Sequence, residues 1–352
     1  MALDEAPPFW WRRPGWQAIV LWPIGYLYGR AAGARLKLGS SEAVEVPVIC
    51  VGNFIVGGGG KTPTVQRLCK HLKSSGWNPG VLSRGHGGAA TVPTVVDYEK
   101  HNAHDVGDEA LLHAENHLTV VAADRPKGAD LLIEQGCNII VMDDGFQNPS
   151  LHKDYSLVVV DSKRGLGNGF PMPAGPMRIP LRDQIGKADS VLLIGDGSAG
   201  LKVVRKVARM AKPVFHAGTR IVGKIGLKGK TVLAFAGIAD PSKFFDTLEA
   251  AKVIIKDRQV FGDHHLFSDE ECGDLIDRAK RNELELVTTA KDHARLLRMG
   301  RAQTDLAKLC KVINIELVPE DPAMMARIEA VALRRFEDRK LKQSTGKPIR
   351  SG

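Results

Sequence analysis

The sequence predicts an α/β fold with a mostly parallel central sheet, a second and smaller α/β domain, and an N-terminal membrane-associated helix. Three observations predict it. Short apolar runs without polar alternation recur from Val46 onward, separated by amphipathic stretches. The same rhythm restarts beyond Lys212-Pro213. Four of the five tryptophans fall within the first 22 residues.

The runs at 46–51, 79–82, 119–122, 139–142, 157–160 and 191–194 read as strands covered on both faces, which marks a parallel sheet. Helical patterns at 64–75, 108–115 and 127–135 lie between them, in a doubly wound arrangement. The second unit reads as strand 231–236, helix 241–250, a strand around 252–255, helix 268–281, strand 284–288 and helix 291–299. A last strand falls at 312–317. The expected organisation is an N-terminal helix at 1–40, a core at 41–213 and a smaller domain at 223–310. Segments 214–222 and 311–318 pair as a two-strand connection, and 319–352 forms a C-terminal helix and basic tail.

Composition bounds the partners. With 352 residues, 43% hydrophobic and 25% charged, the chain buries a real core and is not globally disordered. Lys and Arg outnumber Asp and Glu by 49 to 40, which suits an anionic partner. Nucleic-acid binding would rest on that net charge alone and is not expected. The five cysteines are odd in number, widely spaced and form no C-x-x-C pair. That argues against a disulfide framework or a structural zinc site and suits a reducing cytosol.

Trp10, Trp11, Trp16, Trp22, Tyr26 and Tyr28 crowd the N-terminus, and no residue between Gly15 and Tyr28 is charged. This run of about 14 residues is short of the ~20 needed to span a bilayer, and Pro23 is expected to interrupt it. No small-residue cleavage site follows cleanly, which argues against a signal peptide. Tryptophan and tyrosine favour lipid headgroups, and the flanking Arg12, Arg13, Arg30, Arg35 and Lys37 favour anionic lipid. Residues 8–37 therefore read as an interfacial helix or shallow anchor. The basic tail, with Arg334, Arg335, Arg339, Lys340, Lys342, Lys347 and Arg350, adds attraction or is simply a solvated end.

The first strand runs into Gly57-Gly58-Gly59-Gly60-Lys61-Thr62-Pro63 and then a helix. Such a turn aims backbone N–H groups and the positive end of a helix at one point, as phosphate requires. Glycines let the backbone curl around the oxygens. Lys61 would reach the β/γ-phosphates and Thr62 would hold magnesium through its hydroxyl. The loop therefore predicts a nucleoside triphosphate with Mg2+ and makes the core P-loop NTPase-like. Ile55 stands where the strict G-x-x-x-x-G-K-[ST] pattern has its first glycine.

Asp143-Asp144-Gly145-Phe146-Gln147 ends a buried strand, where one carboxylate would hold magnesium and the other would pair with Lys61 or orient a ligand. Val106-Gly107-Asp108-Glu109 opens a helix. Phosphoryl transfer to an alcohol needs a carboxylate near the acceptor hydroxyl, and Asp108 or Glu109 could serve. Ser83-Arg84-Gly85-His86-Gly87 follows a strand and could touch phosphate. A long Gly/Pro loop from Gly167 to Arg178 could cover the site. In the second unit, Asp263-His264-His265 offers a histidine to assist a base across a cleft, and Thr288-Thr289-Ala290-Lys291-Asp292 joins a strand to a helix.

Together these motifs resemble the tetraacyldisaccharide 4'-kinase family of lipid A biosynthesis, over about residues 10–330. The resemblance rests on V-G-N-F-I-V-G-G-G-G-K-T-P at 51–63, S-R-G-H-G at 83–87, V-G-D-E at 106–109, D-D-G-F-Q at 143–147, P-A-G-P-M-R at 173–178, and D-H-H with T-A-K-D beyond. The missing first glycine also fits. The resemblance implies transfer of the ATP γ-phosphate to the 4'-hydroxyl of a lipid A disaccharide-1-phosphate, with magnesium, by a monomer on the cytoplasmic face of a Gram-negative inner membrane. It implies that Gly57, Gly58, Gly59, Gly60, Lys61 and Thr62 hold phosphate and that Thr62, Glu109 and Asp143 surround the metal. Asp108 would be the base, helped by His264 or His265, with Asp144 supporting Lys61 and Arg178 stabilising the transferring charge. Asn148, His86 and Ala110 depart from the family's usual His, Tyr and Pro. The rival reading is a membrane-associated P-loop ATPase switch, whose usual K-G-G-x-G-K-T loop is absent.

Overall fold

The computed structural model describes residues 6–223 and 226–345. Its strands are β1 (Val48–Asn53), β2 (Pro79–Ser83), β3 (Thr94–Val95), β4 (Leu118–Val121), β5 (Ile139–Asp143), β6 (Tyr155–Asp161), β7 (Ser190–Ile194), β8 (Val214–Ile221), β9 (Thr231–Ala236), β10 (Ile254–Val260), β11 (Glu285–Thr289), β12 (Lys311–Ile313) and β13 (Ile315–Pro319). Nine of them form one sheet in the order β13-β8-β7-β6-β1-β5-β2-β4-β3, and the other four form a second sheet in the order β10-β9-β11-β12. The large sheet is parallel from β8 to β4 and antiparallel only at its edges. This is the α/β fold the sequence predicts.

The unalternating runs explain the large sheet. Every residue of β1 is buried, with Val48 and Cys50 facing one hydrophobic layer and Ile49 and Val51 the other. Helix Lys61–Ser74 covers the second layer with Val65, Leu68 and Leu72. It begins earlier than its apolar pattern, because Pro63 is tolerated in a first turn and left-handed Gly60 (φ 88°) caps it.

Several elements differ from the sequence reading. Strand β10 extends to Val260, through charged Lys256, Asp257 and Arg258. It is an edge strand, so only part of it is covered and the apolar-run criterion stops short. The expected strand at 312–317 divides at Asn314. Lys311–Ile313 joins the small sheet beside β11, whereas Ile315–Pro319 pairs antiparallel with β8 on the large one. Helix Arg301–Leu309 packs Leu306 and Ala307 into the core of the smaller sheet, at a place where no element was expected.

The N-terminus forms a helix over Trp16–Leu38 that runs through Pro23 without a break. Pro23 removes one N–H donor, but packing below it compensates. Gly25, Gly29 and Gly33 are buried on one stripe, against the loop that carries Pro171 and Pro180 and against Asp183. A Cβ built at Gly25 would lie 2.8 Å from the Pro171 carbonyl oxygen. The opposite face leaves Trp16, Ile19, Val20 and Leu27 exposed. Among the described residues no helix is long and apolar enough to cross a membrane.

The basic C-terminal segment is largely helix Met324–Ser344, and it is not a free tail. Arg339 is buried and donates to Asp154 at 3.1 Å and to the Val44 carbonyl at 3.0 Å. Arg335 pairs with Asp189 at 2.6 Å. Lys347 and Arg350 lie outside the described residues.

Candidate active site

The C-terminal ends of the parallel strands meet an open cleft of about 2240 Å³, lined from Trp10 and Tyr28 to His264 and Lys291. This is where an open α/β sheet places its ligands. The glycine loop leaves β1 there. Asn53 donates through Nδ2 to the Gly57 carbonyl at 2.9 Å and fixes the turn. A Cβ on Gly57, Gly58 or Gly59 would meet nothing within 4 Å, so the loop faces open space. At Gly60 the positive φ favours glycine, and a Cβ there would also press the end of the Ile194 side chain, 2.5 Å away, to turn aside. Thr62 lines the cleft at the positive end of its helix.

Lys61 is nearly buried, with Nζ 3.3 Å from the Gly57 carbonyl and 3.7 Å from Asp144. Asp144 takes a left-handed conformation (φ 52°) at the end of β5 and receives a two-pronged bond from Arg178, at 2.8 and 2.7 Å. Burial would raise the Asp144 carboxyl, but Lys61 and Arg178 outweigh it and hold the group well below the usual range. Arg178 belongs to the Gly/Pro loop, which lies against the glycine loop: Val56 N–H donates to the Pro176 carbonyl at 2.8 Å. Trp10 Nε1 donates to the Pro173 carbonyl at 3.0 Å, tying the N-terminal segment to the same loop.

Asp143 sits elsewhere. It is fully buried beneath the cleft with Oδ2 3.0 Å from His113 Nε2. Its Oδ1 and His113 Nδ1 are buried without partners among the described residues. The apolar strand draws Asp143 inward, while left-handed Asp144 turns out to the lining.

The structure brings Asp108 and His264 together, with Nδ1 of the imidazole 3.2 Å from Asp108 Oδ2. His264 holds a positive φ of 58° and is 41% exposed into the cleft, whereas Asp108 is 4% exposed behind it. Arg295 draws that carboxylate toward the smaller sheet, donating from Nε at 2.9 Å and from Nη2 at 2.6 Å. Burial would raise the Asp108 carboxyl, but the hydrogen bond from His264 and the charges of Arg295 and Lys291 hold it well below the usual range. The same bond raises the His264 imidazole. Glu109 lines the cleft and is ion-paired to Lys291. His265 does not join the group. It stacks on Phe261, with ring centroids 4.7 Å apart, and its Nε2 lies 2.9 Å from Glu271, which shares a capping box with Ser268 at the start of helix Asp269–Arg281.

Ser83, Arg84 and His86 line the cleft, and the His86 ring packs edge-on to His264 at 5.8 Å. Sequence reasoning missed His113 and Arg295. His113 carries no motif. Arg295 lies three residues after Asp292 on a helical pattern, a spacing that could have signalled their pair.

A glycine loop ending a central strand, carboxylates on the neighbouring strand and an acid–imidazole pair across an open cleft define a P-loop phosphotransferase. The LpxK family model, described as tetraacyldisaccharide-1-P 4'-kinase, matches residues 17–333. The chain belongs to this family. It is 49% identical to the tetraacyldisaccharide 4'-kinase of Rhizobium rhizogenes over 99% of this chain and 98% of that one. It is 46% identical to the enzyme of the same name from Chelativorans, over 97% of this chain and all of that one. Among solved structures, it is similar to LpxK from Aquifex aeolicus, solved in complex with ATP. The TM-score is 0.69 at 26% identity, covering 91% of this chain and 99% of the other.

Proposed function

We propose that this protein transfers the γ-phosphate of ATP to the 4'-hydroxyl of a tetraacylated lipid A disaccharide-1-phosphate. The observation that carries the reading is one cleft lined both by the glycine loop with Lys61 and Thr62 and by His264, which Asp108 backs from behind. A hydrolytic switch would need no such pair.

Gly57 to Gly60 offer backbone N–H groups, and Lys61 and Thr62 complete the phosphate site. The oxygen donors near it suit Mg2+, a hard cation. Thr62 and Glu109 line the cleft and would hold the ion, with Asp143 acting from beneath. Magnesium, when bound, would screen the phosphate charge. Arg178, held by Asp144, would face the transferring group.

In a loose phosphoryl-transfer transition state the hydroxyl proton leaves late, so a carboxylate of low basicity is adequate to orient the acceptor. Asp108 would act with His264, whose exposed ring passes the proton on to solvent. His265 is held by Glu271 and takes no part. The smaller α/β unit, expected at 223–310 and extended by strand Lys311–Ile313 of its sheet, would act as a separate domain carrying His264 to the acceptor. The apolar face of helix Trp16–Leu38 would lie on the cytoplasmic face of the inner membrane, where the substrate's acyl chains are buried, and the protein would work as a monomer.

The test is incubation with γ-labelled ATP, magnesium and tetraacyldisaccharide-1-phosphate in detergent. Label in the lipid fraction is expected. Folded protein that hydrolyses ATP and leaves the lipid unlabelled would favour the ATPase switch.

A further inference from the structure

We propose that Arg295 is the positioning residue of the acceptor site: from the smaller sheet, it fixes the Asp108 carboxylate in its working orientation. The inference rests on the reading of Asp108 given above.

The geometry is that of a clamp. Helix Ala290–Leu296 presents Lys291 and Arg295 on one face, a turn apart, to the acidic pair that opens helix Asp108–Ala114. Lys291 is paired to Glu109 and Arg295 to Asp108. Arg295 is itself immobilised, since Nη1 donates to the Gly237 carbonyl at 2.6 Å and to Asp292 at 2.8 Å. Asp292 is in turn held by the Gly237 N–H at 3.0 Å and by the Thr289 hydroxyl at 2.6 Å. The guanidinium thus has one side anchored in the smaller sheet and the other on Asp108.

Asp108 has little other freedom. Its Oδ1 accepts from the Glu109 N–H at 2.8 Å, and its Oδ2 is shared by Arg295 and His264. Without Arg295 the buried carboxylate would keep one imidazole and one backbone donor, and it could rotate away from His264. Planar Arg donates to Asp108 and Asp292 at once, which the point charge of Lys cannot do with the same reach. The T-A-K-D motif followed by Arg295 then has a purpose: Thr289 caps the helix, Lys291 meets Glu109 and Asp292 aims the arginine.

A double-mutant cycle on the full-length protein tests this, with label transfer from ATP to tetraacyldisaccharide-1-phosphate as the readout. Arg295→Met is expected to lower kcat by a factor on the order of 10 to 100, as a misplacement of about 1 Å can, with KM for ATP unchanged. Arg295→Lys should recover part of the loss. In an Asp108→Asn background Arg295→Met should cost nothing further, because the carboxylate charge that Arg295 orients is gone. Equal losses in both backgrounds, or wild-type kcat in Arg295→Met, would overturn the proposal. Should Arg295→Met fail to fold, Arg295→Lys is taken through the same cycle with the same criteria. Near-normal turnover in Asp108→Asn alone would instead remove the underlying reading of Asp108.

Discussion

Asp108 is ionised, buried and fully engaged, and that combination separates two duties a carboxylate can have. A strong base needs a raised proton affinity, and His264, Arg295 and Lys291 push the Asp108 carboxyl the other way. What the surroundings favour is a fixed negative charge that holds an imidazole in place. Of the two side chains bonded to Asp108 Oδ2, His264 is the one that meets the cleft. Replacing Asp108 with Ala removes the orienting charge and leaves His264 unsupported. We expect turnover with the lipid acceptor to fall by a factor on the order of a hundred or more, as for loss of general-base assistance. Steady-state label transfer measures it, and turnover near the wild-type value would place the acceptor group elsewhere. Asp143 and Asp144 show the same division. They are adjacent in sequence, yet one faces His113 in the interior and the other faces Lys61 and Arg178 in the cleft. The sequence names the D-D-G-F-Q motif but not which aspartate turns outward, because that depends on the left-handed backbone at Asp144.

At the scale of elements, the six central strands of the large sheet, from Leu118–Val121 across to Ser190–Ile194, were legible because buried parallel strands are uninterrupted apolar runs, as in Ile139–Asp143 and Tyr155–Asp161. Strand β10 and the split between β12 and β13 were not, because edge strands and sheet crossings are decided by partners distant in sequence. The buried role of Arg339 in the C-terminal helix was hidden for a related reason. Arg339 looks like solvated charge among other basic residues, but it closes a buried pair with Asp154, whose Oδ2 also accepts the Val48 N–H at the start of β1. That pair joins the last helix to the strand that feeds the phosphate loop. Arg339→Met leaves Asp154 as an uncompensated buried charge. It should destabilise the fold by about 3–5 kcal/mol, read from chemical denaturation. A loss below about 1 kcal/mol would mean that the pair is matched by solvation in the unfolded chain.

For the whole molecule, the central question is how the cleft at the C-terminal edge of the sheet meets an acylated sugar. The N-terminal helix divides its surface by chemistry. The stripe of Gly25, Gly29 and Gly33 lets the backbone lie directly against the loop that carries Arg178, while Trp16, Ile19, Val20 and Leu27 point away, with Trp16 73% exposed. Aromatic density in the sequence foretold the exposed face, but the glycine stripe that fixes its direction became apparent only beside its partner loop. Deleting residues 1–37 should release the protein from vesicles, but it would also strip Trp10 from the Pro173 carbonyl and so disturb the active-site loop. Converting Trp16, Ile19, Val20 and Leu27 to serine is the cleaner experiment, because none of the four lines the cleft. Each large apolar side chain contributes about 1.5–3 kcal/mol when withdrawn from water, so losing four should weaken partitioning into anionic vesicles by more than about a hundredfold. Turnover on detergent-dispersed acceptor should stay within about threefold of wild type, since contacts of the glycine stripe are untouched and binding there does not rest on membrane partitioning. Undiminished sedimentation with vesicles would show that another surface holds the membrane. Loss of turnover in detergent together with loss of sedimentation would show that this face also contacts the acyl chains of the substrate.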